Sequence, residues 1–215
     1  MLSTHWKPGR SISFREELPV KYRTAGALLA IVAACCHVIA AEAAEPVTVD
    51  NYVRAETDMT MQRYVALGAF GEIMHLRGMT PIDKQDVIRM NRDTLYSFAV
   101  FDLTTPVTIV KPDPGGRFQS MMVISEDHSI LPVEHGAGEF TLTHQQIGTR
   151  YVMVLFRSFA DPNDPADMEA AHALQDRIQV RPAEAGKFEV PDWDPTSLRK
   201  VRDALNVLAA TRTDL

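Results

Sequence analysis

Asn91-Arg92-Asp93-Thr94-Leu95-Tyr96-Ser97 sets an amide, a guanidinium, a carboxylate and a phenol at the start of an apolar run. In that setting Arg92 reads as an anion clamp and Asp93 as a base or an orienting group. The competing reading is structural: Asn91 and Asp93 shape a turn, and Arg92 pairs with a neighbour. Glu126-Asp127-His128 closes a second apolar run. A histidine beside two carboxylates can serve as general base or ligand, or simply as a hydrogen-bonded loop residue. His135 and His144 could join His128 around a metal, but their wide spacing carries no zinc signature, and no metal is predicted. Arg150, in Gly148-Thr149-Arg150-Tyr151, is placed to reach a carboxylate across a sheet. The candidate ligand-binding residues are therefore Asn91, Arg92, Asp93, Tyr96, His128 and Arg150. Arg92, Asp93, Tyr96 and His128 are expected to gather at one end of the fold, because strand ends and loops are where a rigid scaffold presents polar groups. Asp161-Pro162-Asn163-Asp164-Pro165-Ala166-Asp167 is acidic, yet Pro165 stands where a calcium loop needs an oxygen ligand. Helix capping is the sufficient explanation there.

The elements that must hold these groups are legible as periodicity. Thr48 to Leu76 has helical spacing, with Thr57 or Asp58 as its cap, Gly68, Ala69 and Gly71 as small contact residues, and Gly78 as its end. Leu95–Phe101, Val107–Val110, Phe118–Ile124 and Tyr151–Phe156 are apolar without clean alternation, and Glu139–Leu142 is a weaker strand. Short strands joined by turns, with no helix between them, predict an antiparallel sandwich. Asp164-Pro165 and Asp194-Pro195 each set a carboxylate at the N-cap and proline at the first helical position, predicting two closing helices. The last is expected to bury Leu198, Val201, Leu205 and Leu208. The fold class is thus mainly β with helical additions: a sandwich with an N-terminal helix and two C-terminal helices.

Residues 25–41, AGALLAIVAACCHVIAA, are uncharged and follow Lys21 and Arg23, which describes a secretory signal peptide. Ala41-Glu42-Ala43 fits the A-x-A rule, so cleavage is expected before Ala44. Two readings compete. Val32-Ala33-Ala34-Cys35 resembles a lipobox that would lipidate Cys35, and the run could also stay as an anchor, though it is short for a span. Glu16 and Glu17 are out of place in a cationic leader, which suggests a translation start near Val20. Residues 1–43 hold five of the 22 Lys and Arg, three of the 28 Asp and Glu, and both cysteines. Residues 44–215 then carry 17 basic against 25 acidic groups, a net charge of −8, and are read as a single domain. That acidity offers no footprint for nucleic acid. The expected location is the periplasm or outside the cell. The membrane enters only through the leader or a lipid on Cys35.

No G-x-S-x-G elbow, H-E-x-x-H, P-loop, G-x-G-x-x-G or cysteine pair occurs, and no cofactor is expected. The order of Arg89-Met90-Asn91-Arg92-Asp93-Thr94-Leu95-Tyr96-Ser97, Arg117-Phe118 with Ser120-Met121, Glu126-Asp127-His128, Gly148-Thr149-Arg150-Tyr151-Val152, Leu174-Gln175-Asp176 and Pro191-Asp192-Trp193-Asp194 resembles the bacterial domain-of-unknown-function family numbered 1254. The resemblance implies an immunoglobulin-like sandwich with helical additions, often exported. It also implies a short form, since longer members carry a second β-domain. Ser129 stands where the family usually has tyrosine, and Asp192 where it usually has asparagine. No reaction comes with the resemblance. The leading expectation is an exported module that binds a small molecule, a glycan or an envelope protein. The alternative is a hydrolase or lyase using Asp93, His128 and Arg92.

Overall fold

The computed structural model describes residues 43–83, 90–182, 184 and 186–212. The predicted leader, with Cys35 and Cys36, falls outside the described residues. Ala44–Leu215 forms one compact unit. In chain order its elements are α1 (Tyr52–Ala66), β1 (Met74–His75), β2 (Thr94–Asp102), β3 (Val107–Lys111), β4 (Gln119–Ser125), β5 (Gly138–Leu142), α2 (His144–Ile147), β6 (Tyr151–Phe159), α3 (Pro165–Asp176), β7 (Gln179–Pro182) and α4 (Pro195–Ala209).

The strands form two antiparallel sheets, ordered β1-β2-β6-β4 and β5-β3-β7. One face of the four-stranded sheet, with Phe101, Met121, Val123, Val154 and Phe156, shares an apolar cluster with Val107, Ile109 and Leu142 of the three-stranded sheet. Its opposite face, with Tyr96, Phe98, Val100 and Met153, packs on Met61 and Tyr64 of α1. Tyr64 stacks on Phe98 with ring centroids 4.2 Å apart. A sheet covered on both faces has no wet side, so β2 is buried at every position and does not alternate.

The N-terminal helix is shorter than its spacing predicts. It begins at Tyr52, so Thr57 and Asp58 lie inside it rather than capping it, and Thr57 Oγ1 donates back to the Val53 carbonyl at 2.9 Å. It ends at Ala66 because Gly68 takes φ +97°, the left-handed turn that closes a helix. The chain then runs back beside β2, where Gly71 N–H donates to the Val100 carbonyl, and the expected helical residues around Ile73 become β1.

Both closing helices start as predicted. Asp164 accepts from the N–H groups of Ala166 (2.9 Å) and Asp167 (3.3 Å), and Asp194 from those of Thr196 and Ser197, each at 2.9 Å. The acidic run before α3 is therefore a cap. Its Asp167 is held down to about 2 by the Arg117 guanidinium and the Asp161 N–H. α4 departs from expectation: Leu198 is buried and Val201 and Leu205 half-buried, while Leu208 is exposed. Only its N-terminal part packs, against Val47, Ala55 and Trp193.

Candidate functional site

β2 and β4 run the same way on either side of β6, since Thr94 pairs with Phe159, Gln119 with Ser158, Asp102 with Tyr151 and Ser125 with Val152. Residues before β2 and residues after β4 therefore lie at opposite ends of the sheet. Arg92 and Asp93 share one end with Tyr96, and His128 stands at the other. The gathering expected for these four does not form.

At the first end the Asn91 turn is structural. Asn91 Oδ1 accepts from Asp93 N–H at 2.7 Å and Thr94 Oγ1 at 3.2 Å, and Asn91 N–H donates to the Tyr96 hydroxyl at 2.9 Å. Arg92 Nε donates to the Thr80 carbonyl at 3.3 Å, and Asp93 is exposed. Gln175 is likewise structural: fully buried, it donates from Nε2 to the Tyr96 carbonyl and to Ser97 Oγ, which also meets His75 Nδ1 at 2.8 Å.

The opposite end holds a cleft of about 440 Å³. α1 contributes Arg54 and Asp58, the end of β4 contributes Glu126, the turn before β6 contributes Thr149 and Arg150, and the approach to α4 contributes Trp193. Glu126 is buried and held by the chain itself: Oε2 accepts Tyr151 N–H at 2.8 Å, and its own N–H donates to Thr149 Oγ1 at 3.1 Å. Arg54 reaches Glu126 Oε1 at 3.4 Å and also pairs with Asp127. Asp58, 1% exposed, accepts from Trp193 Nε1 at 3.0 Å through Oδ2, while Oδ1 accepts from no donor.

Burial pushes the Asp58 carboxyl up to about 7, and the neighbouring Glu126 adds to the rise. Burial disfavours the charged form of a carboxyl, and a negative charge nearby disfavours it further. His128 stands just outside, its backbone at φ +59° and its Nδ1 3.0 Å from Thr57 Oγ1. Arg150 does reach a carboxylate, bonding Asp102 Oδ2 at 2.8 Å from one terminal nitrogen and both oxygens at 3.2 Å from Nε.

Of the six candidates, only Arg150 lines the cleft. Arg54, Asp58 and Trp193 escaped the sequence reading. The available signal was Arg54 and Asp58 four apart on one helix, which share a face. Taking Asp58 for a cap removed it from consideration. Among the described residues no three His, Cys, Asp or Glu side chains are grouped to hold a metal ion, and no helix is long and apolar enough to cross a membrane.

No curated protein matches the chain. Among solved structures, the VPA0106 protein from Vibrio parahaemolyticus aligns over 68% of this chain at 16% identity with a TM-score of 0.49. This chain spans 41% of the length of that protein. Residues 70–139, which run from the strand preceding the Asn91 turn through Glu126-Asp127-His128 to the start of β5, match the family described as Protein of unknown function (DUF1254). Over that segment the chain is similar to the DUF1254 family.

Proposed function

We propose that this protein is a binding module for a small hydroxyl-rich molecule, such as a monosaccharide, which it takes in the cleft between α1 and the start of β6. The observation that carries the reading is the buried Asp58–Glu126 carboxyl pair on the wall of that cleft, beside the guanidinium groups of Arg54 and Arg150. Carboxyl acceptors and guanidinium donors converging on a cavity this size match a ligand with several hydroxyls, each of which donates and accepts. A thermal-shift series on the full chain with monosaccharides tests it. A sugar at about 100 times its Kd should add about 2.7 kcal/mol, which is about 5–10 °C for a chain of this size. Glu126→Gln and Arg54→Met should each remove the shift. No response to any sugar, or a response that survives both substitutions, would refute the reading.

An acid–base enzyme is the second reading, favoured by a carboxyl that titrates near neutrality in an open cleft. It would use Asp58 and Glu126, because Asp93 and Arg92 lie at the far end of the sheet from His128.

We also propose export, on the leader described above. Expressed in a Gram-negative host, the periplasmic chain should begin at Ala44 by mass spectrometry. A lipid-modified Cys35 would replace simple cleavage with lipoprotein processing. Full-length chain confined to the cytosol would end the proposal.

A further inference from the structure

At the end of the four-stranded sheet away from the polar cleft, a cup of about 150 Å³ opens on the face that α1 covers elsewhere. Met122 and Leu155 pair across β4 and β6 and form its floor. Phe118, before β4, and Val133, on the segment that runs along the edge of β4, form its walls; both are apolar and more than two-fifths exposed. Arg157, two residues beyond Leu155 and so on the same face, supplies a cation to this mostly apolar cup, whose lining also includes Ser120 and His135.

Arg157 differs from six other arginines among the described residues. Arg54, Arg77, Arg117, Arg150, Arg181 and Arg202 each hold a carboxylate. Arg157 holds none among the described residues, and its Nε is buried without a hydrogen-bond partner. A buried donor without an acceptor is costly, and the cost is relieved when an acceptor arrives. A guanidinium presents a fork of donors that matches a carboxylate, and apolar walls strengthen the pair by keeping water out. A cavity of about 150 Å³ lined by large apolar side chains has room for a benzene-sized body.

We propose that this cup is a second ligand site, distinct from the polar cleft, that binds a small amphipathic monocarboxylate with its carboxylate on Arg157 and its apolar body against Phe118, Met122, Val133 and Leu155. Aromatic acids of the phenylacetate type and six-carbon aliphatic acids have the right size and charge.

Ligand-observed NMR titration of the full chain tests this with phenylacetate, hexanoate and 2-phenylethanol, the last matching phenylacetate in shape without its charge. Phenylacetate should bind about tenfold or more tightly than 2-phenylethanol. Arg157→Met should erase that preference while leaving the alcohol within about twofold of its original affinity, and Arg157→Lys should retain part of the preference. Val133→Asp, on the exposed rim, should weaken phenylacetate binding without lowering the melting temperature. Hexanoate should compete with phenylacetate, and inorganic phosphate should not. Equal affinity for acid and alcohol, undiminished binding by Arg157→Met and Val133→Asp, or competition by phosphate would overturn the proposal. Because these variants lie away from Asp58 and Glu126, failure here leaves the sugar response of the polar cleft to be judged separately.

Discussion

Asp58→Asn is expected to stabilise the protein at pH 8 and to flatten its stability across the acid range. In the folded chain burial raises the Asp58 carboxyl from 3.8 to about 7, with the Glu126 carboxylate adding to the effect. The folded state thus holds a proton that the unfolded state releases at lower pH. Stability from this group is greatest below about pH 4, falls as pH rises toward 7, and is then constant. A full separation of that size corresponds to about 4 kcal/mol. Because the Asp58 carboxyl interacts with its charged neighbour, on the order of 2–4 kcal/mol is the expected range. Asparagine keeps the shape, can still accept from Trp193 Nε1, and can donate to Glu126 without titrating. Urea unfolding of parent and variant at pH 4.5 and pH 8 measures the difference. Parallel pH profiles for the two would show that Asp58 is an ordinary ionised carboxylate in the folded protein and would refute the prediction.

Arg150→Met should cost on the order of 2–3 kcal/mol at pH 7. Asp102 is buried, and burial alone would raise its carboxyl. The Arg150 guanidinium, with the N–H groups of Thr104 and Lys187, outweighs that and holds the carboxyl below its usual value. Removing the arginine leaves a buried carboxylate short of its main partner, which for fully enclosed pairs costs about 3–5 kcal/mol. Arg150 is 40% exposed, so water replaces part of what is lost and the lower figure applies. The pair contributes stability that is present above the unfolded carboxylate pKa and lost as pH falls through the depressed folded value, so acid unfolding should begin at higher pH in the variant. Asp102→Asn in the same background should recover part of the loss. A melting temperature unchanged by Arg150→Met would show that the arginine serves only the cleft.

The same carboxylate explains a glycine. Gly186 has φ +68°, and a Cβ there would sit 2.6 Å from Asp102 Cβ. Segment 186–190 therefore lies close against the end of β2, and Tyr151 Oη, bonded to the Lys187 carbonyl (2.6 Å) and Glu189 N–H (2.8 Å), fastens it to the cleft wall.

Features that depend on neighbours along the chain were legible in the residues alone. The Asp-Pro starts of α3 and α4 were readable because a cap bonds N–H groups two and three residues away. Five strands were readable because each is a continuous apolar or turn-bounded run. Short pieces that exist only through a partner were not: β1 has two residues and forms because Met74 and His75 find Phe98 and Ser97. The end of α1 was written at Gly68, but a glycine can also serve as a small contact residue, and spacing does not distinguish the uses. Glu126 stood within a motif that the sequence singled out, whereas Asp58 looked like a cap.

What no local pattern could decide was direction and depth. Whether Asp93 meets His128 depends on which way β2 and β4 run beside β6, and the pairing that settles it joins residues up to 65 positions apart, as Thr94 with Phe159. Whether Asp58 is an exposed cap or a buried acid depends on Trp193, 135 residues away, closing over it. By itself the sequence determined where the two closing helices start, which runs are buried strands and which residues could carry charge. The tertiary structure alone decided which of those charges lose their water, because desolvation and pairing are set by whatever the fold packs against them.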